Sequence, residues 1–395
     1  GLLKKMPGIQ VSDGQVTAQG EAIQKIFVDG KEFFGDDVAT AIRTLPAQTI
    51  ESIEVFNKLS DQAEFSGRDD GDSYKALNLI TRAGMRQGVF GKVYAGYGYQ
   101  PDTDDITNEH KYMLGGNVNY FHGSSRISLI GLLNNINQQN FSFEDILGAS
   151  GGSGGRGVGQ YMVRPQSGVA NVGSMGLNYS NSWGKKEAFK LQASYFYNHS
   201  RTRNLSELIR WYEAPMAEQG TLEERGYSDN KNYNHRLNLR FDWRISENQS
   251  IMSRTNVSLQ GYTPFSESTG TQIGAEGSNI YDLIDNFSKG KGNGYRVSEF
   301  LQYRVKLGKP GRLLTIDGRI NVNNSDNDSH SHSVEKTTTE SDAEGNIVGA
   351  LPTMRYLSTI SDSKYIGAGG SITYAEPLSK VSQITARYSV NYSGQ

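Results

Sequence analysis

The feature that most constrains this chain is an alternation of period two that begins near Gly88 and persists to the end. Val89, Gly91, Val93, Ala95, Tyr97 and Tyr99 fall on one side of an extended chain. Phe90, Lys92, Tyr94, Gly96 and Gly98 fall on the other, because successive side chains of a strand point to opposite faces. The same pattern recurs at 112–120, 127–133, 175–179, 189–197, 237–243, 255–259, 301–305, 314–322, 366–374 and 384–392, which predicts eleven strands. The opposite faces carry Arg236, Asn238, Arg240, Asp242, Arg254, Asn256, Thr315, Asp317, Arg319, Asn321, Arg387 and Asn391. A dry sandwich core does not accept that many charges.

The connections alternate between long and short. Residues 100–110, 135–172, 199–234, 262–293 and 324–363 are long and rich in Gly, Ser, Asn and Asp. Residues 122–125, 184–187, 246–249, 307–311 and 377–381 are tight turns. A soluble sandwich or solenoid, the alternative reading, has no reason to gather every long connection at one end. An outer-membrane barrel does, with short turns in the periplasm and long loops outside. Strands of about 9–13 residues suit a tilted crossing of the hydrocarbon layer. Tyr97, Tyr99, Tyr120, Phe121, Trp183, Trp243 and Tyr392, near strand ends, suit aromatic girdles. Leu129, Leu239, Leu259 and Ile316 are expected on the lipid face.

Composition narrows the remaining classes. Mean hydropathy is −0.57, and no run approaches the roughly 18 apolar residues of a membrane helix. That excludes a helical membrane protein and leaves a barrel open, because a barrel strand puts only alternate residues into lipid. With 40 Lys+Arg against 42 Asp+Glu the net charge is −2, which argues against a nucleic-acid partner. The absence of Cys excludes disulfides, thiolate zinc sites and cysteine nucleophiles.

Residues 1–85 have a different texture. Ile26-Phe27-Val28 reads as a strand running into an Asp29-Gly30 turn. Asp37 is placed to cap a short helix with apolar Val38, Ala41, Ile42 and Leu45, and Pro46 permits a second from Ala47 to about Glu51. Residues 52–56 and 75–82 read as strands, joined by a polar loop over 60–73. The expected fold class is therefore mainly β: a small α+β domain at 1–85, then a large antiparallel transmembrane barrel at 86–395. Eleven strands is odd and bacterial single-chain barrels are even. A barrel wide enough to hold a domain has about 22 strands, so the barrel is expected to be truncated here.

Particular motifs sharpen this. Pro7-Gly8-Ile9, Val28-Asp29-Gly30, Leu45-Pro46, Ile50-Glu51-Ser52-Ile53-Glu54-Val55 and Asn78-Leu79-Ile80-Thr81-Arg82 follow one another ahead of the barrel pattern. In that order they resemble the plug domain of TonB-dependent outer-membrane receptors. The runs Phe27–Asp37 and Ser60–Gly67 resemble the subgroup of outer-membrane β-barrel proteins. The family's usual Gly-Pro and Leu-Tyr-Gly turns are absent between Val55 and Asn78. The resemblance implies a plug at 1–85 and the N-terminal half of a barrel at 86–395. It implies a Gram-negative outer-membrane location, in the lipid bilayer. The implied activity is binding and import of a nutrient, glycan, peptide or metal chelate. The implied partners are a TonB-type periplasmic complex, engaged through a segment before Gly1, and a surface lipoprotein. The alternatives are a structural or adhesive outer-membrane barrel and a soluble β-rich surface adhesin.

Chemistry-bearing motifs are few. Ser325–His332 carries oxygen and imidazole donors but reads as a solvated loop. Asp69-Asp70-Gly71-Asp72 fails as a calcium loop, because Ile80 stands where the twelfth-position Glu belongs. The Gly-rich run 151–157 lacks the strand-to-helix setting of a phosphate cradle and reads as a loop tip. His199 and His235 have no Ser or Asp at a triad-like spacing. Trp211, Tyr212 and Tyr227 could stack on a sugar, but packing of their own loop is the favoured reading. No catalytic, cofactor-binding or metal residue is assigned, the ligand-binding residues are left open, and the chain is not read as an enzyme. One electrostatic expectation stands: acidic Asp61, Glu64, Asp69, Asp70 and Asp72 should meet the arginine wall of Arg236, Arg240, Arg254, Arg319 and Arg387 through wet, exposed ion pairs.

Overall fold

The computed structural model describes residues 9–12, 15–18, 20–33, 50–67, 71–82, 87–101, 109–136, 168–213, 219–275, 281–341, 347–379 and 382–394. The N-terminal unit contains two small sheets. Strands β1 (Ile9–Ser12), β2 (Gln15–Ala18) and β3 (Glu21–Ala22) form an antiparallel meander. Strands β4 (Lys25–Val28), β5 (Lys31–Glu32), β6 (Ile50–Leu59) and β7 (Ser73–Thr81) form the second, in the order β5-β4-β7-β6. β4 and β7 run parallel, and Ile26, Val28, Leu77 and Leu79 are buried at their junction. Asp29 (φ 48°) and Gly30 (φ 77°) close the β4–β5 hairpin, the two left-handed positions that a type I′ turn requires.

The expected loop over 60–73 contains a helix, α1 (Asp61–Ser66). The Ser60 hydroxyl accepts from Ala63 N–H at 2.9 Å, and Gly67 (φ 74°) ends it in the left-handed conformation. One polar turn of helix shows no apolar period, so only its caps betray it. The expected helix at 37–45 lies outside the described residues. The second expected helix does not reach Glu51, because Ile50 and Glu51 already belong to β6.

The remainder is one antiparallel sheet. It runs β8 (Gly88–Gln100), β9 (Glu109–His122), β10 (Ser125–Asn134), β11 (Val169–Trp183), β12 (Phe189–Trp211) and β13 (Thr221–Ser246). It continues with β14 (Gln249–Thr263), β15 (Phe265–Ile273), β16 (Tyr281–Lys306), β17 (Leu313–Ser341), β18 (Ile347–Pro377) and β19 (Gln383–Gly394). All eleven alternations are strands. The twelfth, β15, is β14 resumed beyond Pro264: both pair with β13 and with β16. Proline has no N–H for the ladder, so pairing lapses there and then recovers. β8 and β19 are the two edges and do not pair with each other, so the sheet is open.

Two expectations about length are corrected. Strands of 9–13 residues were expected, but β12, β13, β16, β17 and β18 have 23, 26, 26, 29 and 31 residues. Much of the expected loops at 199–234, 262–293 and 324–363 is therefore hairpin. Ser, Asn, Asp and Thr in those segments signalled solvent, and solvent-exposed strands remain strands while a partner satisfies their backbone groups. All the short turns lie at one end, and the hairpins extend from the other.

The register sorts the side chains into rows. One continuous row reads Gly91, Val118, Leu129, Leu177, Tyr195, Leu237, Val257, Val297, Val322, Ile366 and Gly394. The next row, one residue away and therefore on the other face, reads Phe90, Asn119, Ser128, Asn178, Ser194, Asn238, Asn256, Ser298, Asn321, Gly367 and Ser393. The apolar face is the exposed one: Leu129 is 46% and Ile316 is 42% exposed, whereas Asn119 and Ser128 are 0% exposed. The sheet is inside out relative to a water-soluble protein.

Candidate functional site

The N-terminal unit meets the polar face of the sheet near its short-turn end. Arg240 on β13 and Arg254 on β14 are direct cross-strand partners. Like charges placed opposite each other destabilise a sheet unless an anion lies between them. Asp61, the first residue of α1, supplies it. One carboxylate oxygen accepts from Arg240 Nη2 at 3.0 Å and the other from Arg254 Nη2. The Asp61 backbone carbonyl accepts from Arg304 Nη1, and Arg304 Nε donates to Ser250 Oγ at 3.1 Å. The Phe65 ring, one turn along α1, lies under the Arg304 guanidinium at 5.1 Å and the Lys306 ammonium at 4.7 Å. Arg240 further pairs with Asp242 at 2.7 Å and with Glu32 of β5 at 3.7 Å, and Glu32 accepts from Lys25 at 2.7 Å.

This network sets the acidity of its members. Burial would push the Asp61 carboxyl up, but Arg240 and Arg254 outweigh it and hold the group down to about 2. Burial likewise opposes ionisation of Glu32, and Lys25 and Arg240 keep its carboxyl below the ordinary range. Burial lowers the ammonium of Lys58, whose partner is Glu64.

A second contact lies where the β4–β5 hairpin reaches the short turns. Asp29 accepts from Thr81 N–H at 2.8 Å, from Thr81 Oγ1 at 2.7 Å and from Arg126 Nη2 at 3.0 Å. Arg126 is 5% exposed and stacks on Phe121 at 4.4 Å. Lys31 Nζ donates to the carbonyl of Ser124, in the turn between β9 and β10, at 2.9 Å. A cavity of about 370 Å³ opens beside this contact, lined by Asp29, Asn78, Ile80, Gln87, Gly123 and Arg126.

The expected charge pairing is found in part. Asp61 meets Arg240 and Arg254, as expected. Glu64 turns back to Lys58 in its own unit, and the Asp72 carbonyl accepts from Ser60 N–H. Asp69 and Asp70 lie outside the described residues. Arg319 lies over the Phe300 ring at 5.9 Å, and Arg387 is exposed on the last strand. The pairs are drier than expected: the Arg240 side chain is 17% and Asp61 23% exposed, and only Arg254, at 38%, is open to water. Sequence reasoning missed Arg304, Arg126, Asp29, Lys31 and Glu32. Arg304 shares the parity of the lumen-facing set, but no local motif marks the other contacts.

The remaining candidates resolve into packing. Ser325–His332 lies within β17, where His330 meets Asp328 at 3.1 Å and His332 stacks on Tyr356 at 4.4 Å. Among the described residues no three His, Cys, Asp or Glu side chains gather as metal ligands. His235 shares a hydrogen bond with the Tyr195 hydroxyl at 2.8 Å between the rings of Tyr197 and Tyr233, and His199 is the register partner of Tyr233. Tyr227 packs edge-on against Phe265 at 6.1 Å, whereas Trp211 is 72% exposed. The Gly-rich run at 151–157 lies outside the described residues.

No family model matches the sequence, and no curated protein matches it. Solved structures similar over most of the chain are found. FpvA of P. aeruginosa, bound to heterologous pyoverdines, is similar over 99% of this chain and 48% of its own, at 12% identity and a TM-score of 0.35. BauA, the ferric preacinetobactin receptor of Acinetobacter baumannii, is similar over 98% and 57%, at 11% identity and a TM-score of 0.29. The RagAB peptide importer is similar over 98% and 52%, at 10% identity and a TM-score of 0.30. The chain spans about half the length of these proteins.

Proposed function

We propose that the chain is the plug and adjoining wall of a TonB-dependent-receptor-like importer in a Gram-negative outer membrane. The observation that carries the reading is the inverted sheet with an N-terminal unit bound to its polar face through Asp61. An exposed apolar face continuous over eleven strands is unfavourable in water and favourable in hydrocarbon. Aromatic residues bracket it on the same face. Trp243 and Tyr233 are ten residues apart on β13, and Tyr303 and Tyr295 eight apart on β16. At about 3.3 Å per residue and a tilt of about 40°, those separations span about 20–25 Å, close to the height of a barrel's apolar band.

The N-terminal unit then acts as a plug. Its ion pairs fix it at the periplasmic end and leave the hairpins free to form a collar outside. Ligand entering from the collar would pass only when a TonB-type complex acts on the plug and the Asp61 contacts rearrange. A surface lipoprotein would be a further partner of the collar. The imported nutrient is of the small-chelate, peptide or glycan kind.

Conductance in planar bilayers tests the reading on the whole protein. Deleting residues 1–85 should open a large pore. A plugless barrel that stays shut would overturn it.

A further inference from the structure

The lumen-facing wall of β12–β18 excludes charge over several successive register rows. Its central row reads Ser200, Asn232, Tyr262, Gly292, Asn327 and Ser361, on the same face as Asn238. The row at Asn198 and Asn234 below it, and the row at Thr202 and Asn230 above it, hold only Asn, Gln, Ser, Thr and Gly. Among the described residues of this wall the first charges met are Arg236 and Arg296 beneath and Arg355 above. The outward residues of the same segments include Arg201, Lys231, Lys289, Lys291, Asp326 and Asp328. Asn232 is one residue beyond the girdle residue Tyr233, so both faces of these segments meet water. Solubility accounts for the charges outside and not for their exclusion inside.

One aromatic ring is fixed in the middle of this neutral wall. Tyr262 is the register partner of Gly292, and its ring lies so close over that glycine that a Cβ there would collide with it. Gly292 is buried beneath the ring. The Tyr262 hydroxyl reaches across β16 and donates to Asn327 Oδ1 at 2.8 Å. The ring is therefore laid flat on the sheet, packed on backbone on one side and pinned at its hydroxyl, yet Tyr262 remains 41% exposed. A ring held in this way is a stacking platform that loses little freedom when a ligand settles on it.

We propose that this wall binds a neutral oligosaccharide, with one sugar ring stacked on Tyr262. The inference rests on the import reading above and selects among its classes of nutrient. Amide and hydroxyl side chains both donate and accept hydrogen bonds, and so do the hydroxyls of a sugar. The C–H face of a sugar ring is apolar and packs on the open face of an aromatic one. An anionic chelate or a charged peptide would give up hydration here and find no countercharge on the wall.

The test uses the whole protein in detergent and three probe sets matched in length. These are neutral hexose and pentose oligosaccharides in α and β linkage, uronic-acid oligosaccharides, and peptides. Retention is read by native mass spectrometry, and heat-modifiable gel mobility checks the fold of each variant. The wild type should retain neutral oligosaccharides in preference to the other two sets. Tyr262→Ala should weaken that retention about tenfold, the upper range for a stacked aromatic contact. Gly292→Ala, which displaces the ring without removing it, should weaken it too, and Tyr262→Phe should keep most of it. Equal retention by the wild type and both platform variants overturns the site. Preference for uronic-acid or peptide probes, or retention of none of the three sets, overturns the ligand class. Any of these results beside a plugless barrel that conducts leaves the import reading standing. A plugless barrel that stays shut overturns that reading and this inference with it.

Discussion

The two ends of the large sheet are built from the same strands and obey different physics. At the short-turn end the polar face is buried under the N-terminal unit, and Arg240, Arg254, Arg304 and Arg126 are tied to Asp61 and Asp29. At the hairpin end β17 and β18 continue side by side through Asp326, Asp328, Ser331 and Ser333 in solvent. The backbone ladder is the same in both. What differs is what the side chains face, and so where a substitution should matter.

Four experiments break or sharpen that contrast, in falling order of expected effect. The largest concerns lipid against lumen. Leu237→Arg should destabilise the folded protein by about 2–4 kcal/mol, the penalty for a cation on a barrel's lipid face near the midplane. Asn238→Arg, one residue along and facing the polar side beside Ser194, should be far milder. Equal losses in thermal unfolding at the two sites would show that the faces are misassigned.

Next is the Asp61 contact. Asp61→Asn leaves Arg240 and Arg254 facing each other across the ladder without their anion. A fully buried pair broken in this way costs about 3–5 kcal/mol. Because Arg254 is 38% exposed, about 2 kcal/mol is expected. Spontaneous channel openings should rise, and an unchanged opening rate would refute the closing role of this contact.

The third is its response to acid. The Asp61 carboxyl is held down to about 2 from an ordinary 3.8. A depressed carboxylate contributes stability that is complete above its unfolded value and lost as pH falls through its folded one. Channel opening should therefore be flat from pH 7 to about pH 5 and rise between about pH 4 and pH 2. A rise near pH 6 would point to another group.

The smallest effect belongs to the hairpins. Excising the outer part of the β17–β18 hairpin, residues 333–355, should shift stability by less than about 0.5 kcal/mol, as surface changes away from packed features do. A tag at Asp328 should be accessible on intact cells and one at Lys185, in a short turn, should not. The opposite labelling would reverse the orientation.

The sequence by itself determined the eleven alternating strands, the face each residue occupies and the side on which the turns are short. All of these follow from local rules: side-chain period, turn chemistry and the inward parity of charge. The tertiary structure alone decided where the hairpins end, because a polar strand is held by its neighbour's N–H and C=O groups and not by its own composition. It also decided which charges meet. Asp61 joins Arg240 and Arg304 across separations of 179 and 243 residues. Asp29 joins Arg126 across 97. Parity marked Arg240 and Arg254 as facing the lumen, but which carboxylate lies between them depends on how the N-terminal unit docks, and that is settled by the summed contacts of two surfaces far apart in the chain.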